Sequence, residues 1–338
     1  MRNGKPLRFA VIGCGVVSEY GHLPTISALA GKAELVAVAD VDETALGKAK
    51  AVYPHAKACT DYRQALRENV DVVTVATRTD THVEIALAAF DVGAHVMLEK
   101  PPATTLADAQ RLLDAQRQHA GRICAVNFIL RYHTGNRQIK QWIDAGEIGR
   151  VRAIHIVDAW FGADHRGRFV DRAARILKDD GSVIVAEGIH QADLIRWLGG
   201  SDFGAIHCLG TCVHHGPHQD YQVLTSLLRN GVVASLESSW AYAVKSKDGA
   251  LDRQVDVIGE EGAIKWNESL GKITLLGRDK TVETQAADDK HFHDIYEDLL
   301  ASIHAGNPVA NLPTLEDSVH AMAAVTRAHQ AAYGDGVA

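Results

Sequence analysis

The 338-residue chain reads as an α/β protein whose N-terminal part is a doubly wound parallel sheet and whose C-terminal part is an α+β region built on a large, mostly antiparallel open sheet. Over the first third, short runs rich in Val, Leu, Ile and Ala alternate with stretches of helical length, and the runs are too continuously apolar to leave one face wet. That alternation is the pattern of parallel strands covered on both sides. Beyond residue 200 the apolar runs succeed one another with turn residues and almost no helix between them, as antiparallel strands do. Domain boundaries are therefore expected at 1–125 and 126–338.

Taken in order, the expected strands of the first part are Phe9–Ile12, Leu35–Ala39, Val70–Ala76, His95–Leu98 and Arg122–Asn127. The helix from Ser18 to Ala30 contains Gly21 and Pro24, so it should begin late or be kinked. Leu106–His119 has clear helical periodicity. In the second part a helix over Gly135–Ala145 precedes a glycine turn, then a strand over Val151–Trp160 and a polar, Arg-rich stretch from Phe161 to Lys178 that reads as a loop over a site. Gly188–Leu198 should be a helix closed by Gly199-Gly200. Strands follow at Ile206–Val213, Tyr221–Arg229, Val232–Trp240, Gln254–Gly259, Ala263–Trp266 and Lys272–Leu276, and two closing helices at His291–His304 and Leu315–Ala332.

Composition narrows the partners. A net charge of -7 and 46% hydrophobic residues describe an ordinary globular protein with no basic stripe for nucleic acid, so a small-molecule substrate is expected. No run of about 18 apolar residues occurs, and the first seven residues are polar and basic, which fits neither a signal nor a transit peptide. Five cysteines without a CxxC spacing suit reduced thiols in a cytoplasmic protein. His214-His215 with His218, and His291 with His293, lack the Cys or carboxylate partners of a metal site, so no metal is expected.

Gly13-Cys14-Gly15-Val16-Val17-Ser18 follows the first strand and fits the Rossmann dinucleotide fingerprint with Ser18 in the third glycine's place. The first glycine permits the tight turn, and the second lets backbone N–H groups of the turn and of Val16 and Val17 approach a pyrophosphate at a helix start, where the dipole favours negative charge. Asp40 ends the second strand about 20 residues later, where an acid accepts from the adenosine ribose; the other reading is that it merely caps the next helix. Val41-Asp42-Glu43 after it would repel a 2′-phosphate, so NAD is expected over NADP.

Thr77-Arg78-Thr79-Asp80-Thr81-His82, then Gly93 to Pro101 with Glu99-Lys100-Pro101, then Gly181-Ser182 through Glu187-Gly188-Ile189-His190-Gln191-Ala192-Asp193 to Gly200, closely resemble the Gfo/Idh/MocA family over most of the chain. The resemblance implies a nicotinamide oxidoreductase acting on a secondary alcohol of a sugar, sugar acid or cyclitol, with the nicotinamide between two domains and subunits associated through the open sheet as a homodimer or homotetramer. It implies catalytic roles for Lys100, whose ammonium can stabilise alkoxide character, and for His190 as proton acceptor. It implies that Thr77, His82, Glu99, Lys100 and Asn127 join Gly13, Gly15, Val16, Val17 and Asp40 around the cofactor, with Arg131, Asp158, His165 and Arg166 available to substrate.

Two departures stand out. The family commonly has an aspartate four residues before its histidine, and this chain has Ala186 with Glu187 beside it. If the segment is helical, Glu187 can reach His190, since positions three and four apart share a helix face; a strand-like Val183–Val185 speaks against that helix. Arg78 stands where proline is frequent. Ala186 also leaves open a non-catalytic sensor of cofactor or sugar, or an enzyme that uses NAD transiently for elimination or hydrolysis.

Overall fold

The computed structural model describes residues 5–160, 176–214, 217–242, 251–286 and 291–334. The chain divides into two compact units, Met1–Ile129 with His291–Val319, and Leu130–Lys290 with His320–Ala338. The expected boundary at 125/126 thus lies a few residues early, and residues 291–319, expected in the second domain, pack into the first. The reason is aromatic. Phe292 fills the space left by Gly21, where an added Cβ would stand 2.6 Å from the ring, and Tyr296 is buried against Phe9.

The first unit is a six-stranded, all-parallel sheet. Its strands are β1 (Leu7–Ile12), β2 (Ala33–Ala39), β3 (Lys57–Cys59), β4 (Val72–Val75), β5 (His95–Leu98) and β6 (Cys124–Val126), in the spatial order β3-β2-β1-β4-β5-β6. Strand β3 is too short to show in the sequence pattern. The order reverses between β1 and β4, so the carboxyl ends of these strands flank the crevice where doubly wound sheets take ligands. Its helices are α1 (Leu23–Ala28), α2 (Glu43–Val52), α3 (Tyr62–Leu66), α4 (Thr79–Asp91) and α5 (Leu106–Gln118). The expected irregularity before α1 is a π-helical turn, Ser18–His22, with Pro24 at the start of the α-helical part. A proline inside a regular helix clashes with the carbonyl four residues back, and the wider turn ahead of Pro24 relieves that conflict.

The second unit holds α6 (Thr134–Asp144), β7 (Val151–Trp160), α7 (Val183–Ala186), α8 (Gly188–Gly199) and the strands β8 (Phe203–Thr211), β9 (Tyr221–Leu228), β10 (Val233–Ser239), β11 (Leu251–Gly259), β12 (Ala263–Asn267), β13 (Lys272–Leu276) and β14 (Thr281–Gln285). They form one eight-stranded sheet, antiparallel except where β7 pairs β10. Two further helices lie beyond the sheet strands, α9 (Phe292–Ala305), which belongs to the first unit, and α10 (Leu315–Tyr333). Helix α8 lies on one sheet face, where a Cβ at Gly199 would meet Leu228 and Ile154, and Gly200 closes it at φ 63°. Across the sheet, Leu227, Val233, Ala153, Ile258, Ala263 and Leu276 stand in register on six adjacent strands. Directly paired residues share a face, and in this row Leu227, Val233, Ile258 and Leu276 are exposed.

Candidate active site

The glycine turn separates two demands. Gly13 has φ +95° and its Cβ would stand 2.3 Å from the Ala76 carbonyl oxygen, so the protein itself excludes a side chain there. At Gly15 nothing lies within 4 Å of an added Cβ. No packing among the described residues requires that glycine, as expected where the close approach comes from a ligand. Helix begins at residue 16, so the first N–H groups of Val16 and Val17 have no partner one turn earlier, and Val16 is 54% exposed. Ser18 is fully buried and its hydroxyl donates to the Gly13 carbonyl at 2.5 Å, an additional tie that a glycine there would lack.

Asp40 does not cap α2. Asp42 does, accepting from the N–H groups of Thr44 and Ala45, while Asp40 accepts from Cys14 N at 2.6 Å and Asp42 N at 2.8 Å. The acid at the end of β2 is therefore fixed beside the glycine turn. Burial, aided by the Asp40 charge, pushes the Cys14 thiol up to about 12, so it is a packing residue and no nucleophile.

Lys100 follows β5 on the same edge of the sheet, and its bond to Pro101 is cis. Beside it Glu99 accepts from His22 Nε2 at 3.0 Å, from Asn127 Nδ2 at 2.5 Å and from the Lys100 N–H at 3.2 Å. Burial alone would raise its pKa; the bond and charge of His22, the Asn127 amide and the Lys100 charge overrule it and hold the carboxyl at about 2. His22 Nδ1 meets the Tyr296 hydroxyl at 2.9 Å, which meets the Thr74 hydroxyl at 2.8 Å.

His82, expected at the cofactor, lies beneath the loops instead. It is 1% exposed, with Nδ1 2.9 Å from the Pro101 carbonyl and Nε2 3.2 Å from that of Thr77. Burial lowers its pKa, and a neutral ring has one N–H to give, so His82 lies between two loop carbonyls and ties the loops together. Thr77 lies in the β4–α4 loop, its hydroxyl accepting from Thr81 at 2.8 Å.

In the second unit His190 sits on α8, 8% exposed. The helix that was to align Glu187 beneath it is interrupted at Glu187 (φ -118°, ψ -44°), between α7 and α8. The Glu187 carbonyl accepts from His190 N at 3.0 Å, whereas its carboxylate lends charge to Arg253. Arg131, expected at substrate, is 4% exposed and forked onto Asp193 within this unit at 2.7 and 2.5 Å. Asp158 is 2% exposed; it accepts from Arg253 Nε at 2.6 Å and from Gln191 Nε2 at 2.6 Å. Arg253 also reaches Glu268 at 3.0 Å. Both residues expected to touch substrate thus stand behind the surface. His165 and Arg166 lie outside the described residues.

Residues 7–128 match an oxidoreductase family with an NAD-binding Rossmann fold, and residues 136–265 match the GFO/IDH/MocA C-terminal domain. The inositol 2-dehydrogenase of Ralstonia nicotianae is 31% identical over 263 residues, covering 76% of this chain and 72% of its own. The chain belongs to the Gfo/Idh/MocA oxidoreductase family. The inositol 2-dehydrogenase of Salmonella typhimurium is 26% identical over 334 residues, covering 95% and 92%. A solved oxidoreductase from Agrobacterium radiobacter, in complex with NAD+, L-tartaric acid and magnesium, shares the fold at TM-score 0.83 and 17% identity, over 98% of this chain and 97% of that one.

Within the Gfo/Idh/MocA frame both departures have a physical reading. Arg78 is held at φ -73° and ψ 149°, the backbone a proline would impose. Ala186 packs with Leu177, Val183 and Trp240, with Trp160 and Ile176 against them; an aspartate there would bury a carboxylate among apolar side chains. Val183–Val185, which looked strand-like, is the helical turn α7. The residues not foreseen are His22, Tyr296, Gln191, Asp193, Arg253 and Glu268. Gln191 and Asp193 stand in the quoted second-domain motif without a role assigned to them, and no local pattern marks the others.

Proposed function

We propose that the protein is an NAD-dependent dehydrogenase that moves a hydride between the nicotinamide and a secondary alcohol or ketone of a sugar, sugar acid or cyclitol, a cyclitol above all. The observation that carries this reading is the shared edge of the first unit: the unfilled surround of Gly15 and the Lys100 turn both lie at the carboxyl ends of the parallel strands, where such sheets place ligand and chemistry.

Gly13, Gly15 and the N–H groups of Val16 and Val17 would hold the pyrophosphate, and Asp40 the adenosine ribose. The acids Asp40, Asp42 and Glu43 favour NAD over NADP. NAD, when bound, supplies the hydride acceptor. His190 takes the proton of the reacting hydroxyl, and the Lys100 ammonium donates a hydrogen bond to the same oxygen, stabilising the charge that develops there.

Arg131 and Asp158 act in this reading from behind, by fixing the residues around His190, while His165 and Arg166 remain the proposed direct contacts. Arg253 bonds the carboxylates of Asp158 and Glu268 and feels the charge of Glu187, and Arg131 is matched by Asp193. These two arginines are therefore neutralised, which favours an uncharged polyol over a sugar acid, in keeping with the relatives' names. The exposed apolar row on the sheet supports association of copies as a homodimer or homotetramer; sedimentation showing only monomer at micromolar concentration would refute it. No helix among the described residues is long and apolar enough to cross a membrane, and a cytoplasmic location is the reading we adopt.

The test is formation of reduced nicotinamide with a panel of cyclitols, sugars and sugar acids. Net NADH with a cyclitol is expected. A second reading, a cofactor-binding protein without turnover, draws on the apolar filling around Ala186; NADH binding with no product from any member of the panel would favour it.

A further inference from the structure

With the carboxylate ionised and His22 neutral, the buried chain of hydroxyl, phenol, imidazole and carboxylate behind Lys100 admits one assignment of its hydrogens. An ionised Glu99 only accepts, so His22 donates to it from Nε2. Its Nδ1 then accepts from the Tyr296 hydroxyl, at 2.9 Å, and the phenol oxygen accepts from Thr74, at 2.8 Å. Every bond of the chain points toward Glu99, and bonds in series polarise one another in the same sense. His22, Tyr296 and Thr74 are all fully buried. The Asn127 amide gives its N–H to the same carboxylate oxygen, and its Oδ1 is buried with no hydrogen-bond partner among the described residues. That oxygen is an acceptor left for a donor the described residues do not supply.

We propose that His22 is a positioning residue, which keeps Glu99 an acceptor and thereby holds the Asn127 amide with its oxygen turned to the bound nicotinamide cofactor. The inference rests on the cofactor reading given above. Protonation of Glu99 would remove the charge that strengthens the hydrogen bond it accepts from the Asn127 amide and give the carboxyl a donor of its own, so the amide would lose the contact that fixes its orientation. The charged and titratable groups that face Glu99 are His22 from the turn before α1, Lys100 on its own segment, His82 from α4 and Tyr296 from α9. Of these His22 alone donates a side-chain hydrogen bond to it among the contacts seen.

The sign of the pH effect follows. A carboxyl held low contributes its stabilisation at every pH above the ordinary carboxylate value, and loses it only as the pH falls toward about 2. Without His22, burial prevails and the loss moves up into the measurable range. We would compare the intact protein with His22→Leu, His22→Gln and Tyr296→Phe, reading two quantities. One is the infrared carbonyl band of a protonated carboxylic acid in the cofactor-free protein, assigned with the added substitution Glu99→Gln; the other is NADH affinity by fluorescence. At pH 6, His22→Leu should show the acid band, and its NADH affinity should fall at least about tenfold between pH 8 and pH 5.5.

Wild type and His22→Gln, whose amide N–H can replace Nε2, should show neither change. Tyr296→Phe keeps the ring's packing and should show both in weaker form, which covers the case in which His22→Leu does not fold. An absent acid band, or pH-independent NADH affinity in both His22→Leu and Tyr296→Phe, would overturn the role. Failure of wild type to bind NADH would instead sink the cofactor reading, and the infrared arm would still decide the one proposed for His22.

Discussion

Around Lys100 in the first unit, uncharged donors and one histidine converge on a single carboxylate, whereas around His190 in the second unit arginines and carboxylates are paired off against each other. His22 and Asn127 send their hydrogen bonds to Glu99, and Tyr296 and Thr74 continue the chain behind His22. On α8 and its sheet, Arg131 locks onto Asp193 and Arg253 onto Asp158 and Glu268. The first arrangement sets the ionisation of one group. The second fixes geometry: paired charges anchor the helix that carries His190, and a pair broken on one side leaves a buried charge exposed to the full desolvation cost. One unit should therefore answer to loss of a donor by a change in pH dependence, the other by a loss of stability.

Substitutions break the comparison in order of size. Lys100→Ala should lower turnover by about a thousandfold with NAD binding nearly unchanged, and His190→Ala should cost between about a hundredfold and ten-thousandfold with loss of the acid limb of the rate profile. Steady-state kinetics beside calorimetric NAD titration checks both. Arg253→Ala should destabilise the fold by about 3–5 kcal/mol, since Asp158 and Glu268 then lack their counter-charge; denaturant unfolding measures it. Gly15→Val should weaken NAD binding by about a hundredfold, or about 2.7 kcal/mol, while leaving the melting temperature in place, because its side chain meets only open space. Gly13→Ala should destabilise the apo fold by about 1–3 kcal/mol, through its positive φ and the Ala76 carbonyl. The smallest expected effect is on the cofactor: Asp40→Ser should narrow a preference for NAD over NADP that is at least about tenfold in wild type.

The same contrast explains what the sequence disclosed. A phosphate turn is made of backbone, and backbone demands leave signatures in order: glycines at residues 13 and 15 and an acid at the end of β2. The parallel and antiparallel halves showed for the same reason, through the spacing of apolar residues. The His22–Glu99 contact joins residues 77 apart in the chain, and Arg253 reaches Asp158 from 95 residues away; no local pattern marks such pairs. The break between α7 and α8 escaped the sequence because it depends on Val183 and Ala186 packing against Trp240, a tertiary contact that overrides strand-like composition. Tyr296 was assigned to the wrong unit because helical periodicity names a buried face without naming what buries it.

The central proposal is that Lys100 and His190 serve the hydroxyl of one secondary alcohol, whose carbon gives up its hydride to NAD. The most direct measurement is the stoichiometry of NADH against oxidised product with a cyclitol such as myo-inositol, in wild type and in the Lys100→Ala and His190→Ala proteins, each shown to bind NAD. The account requires one NADH per ketone in wild type and almost none in either variant. Undiminished NADH formation in either variant would contradict it.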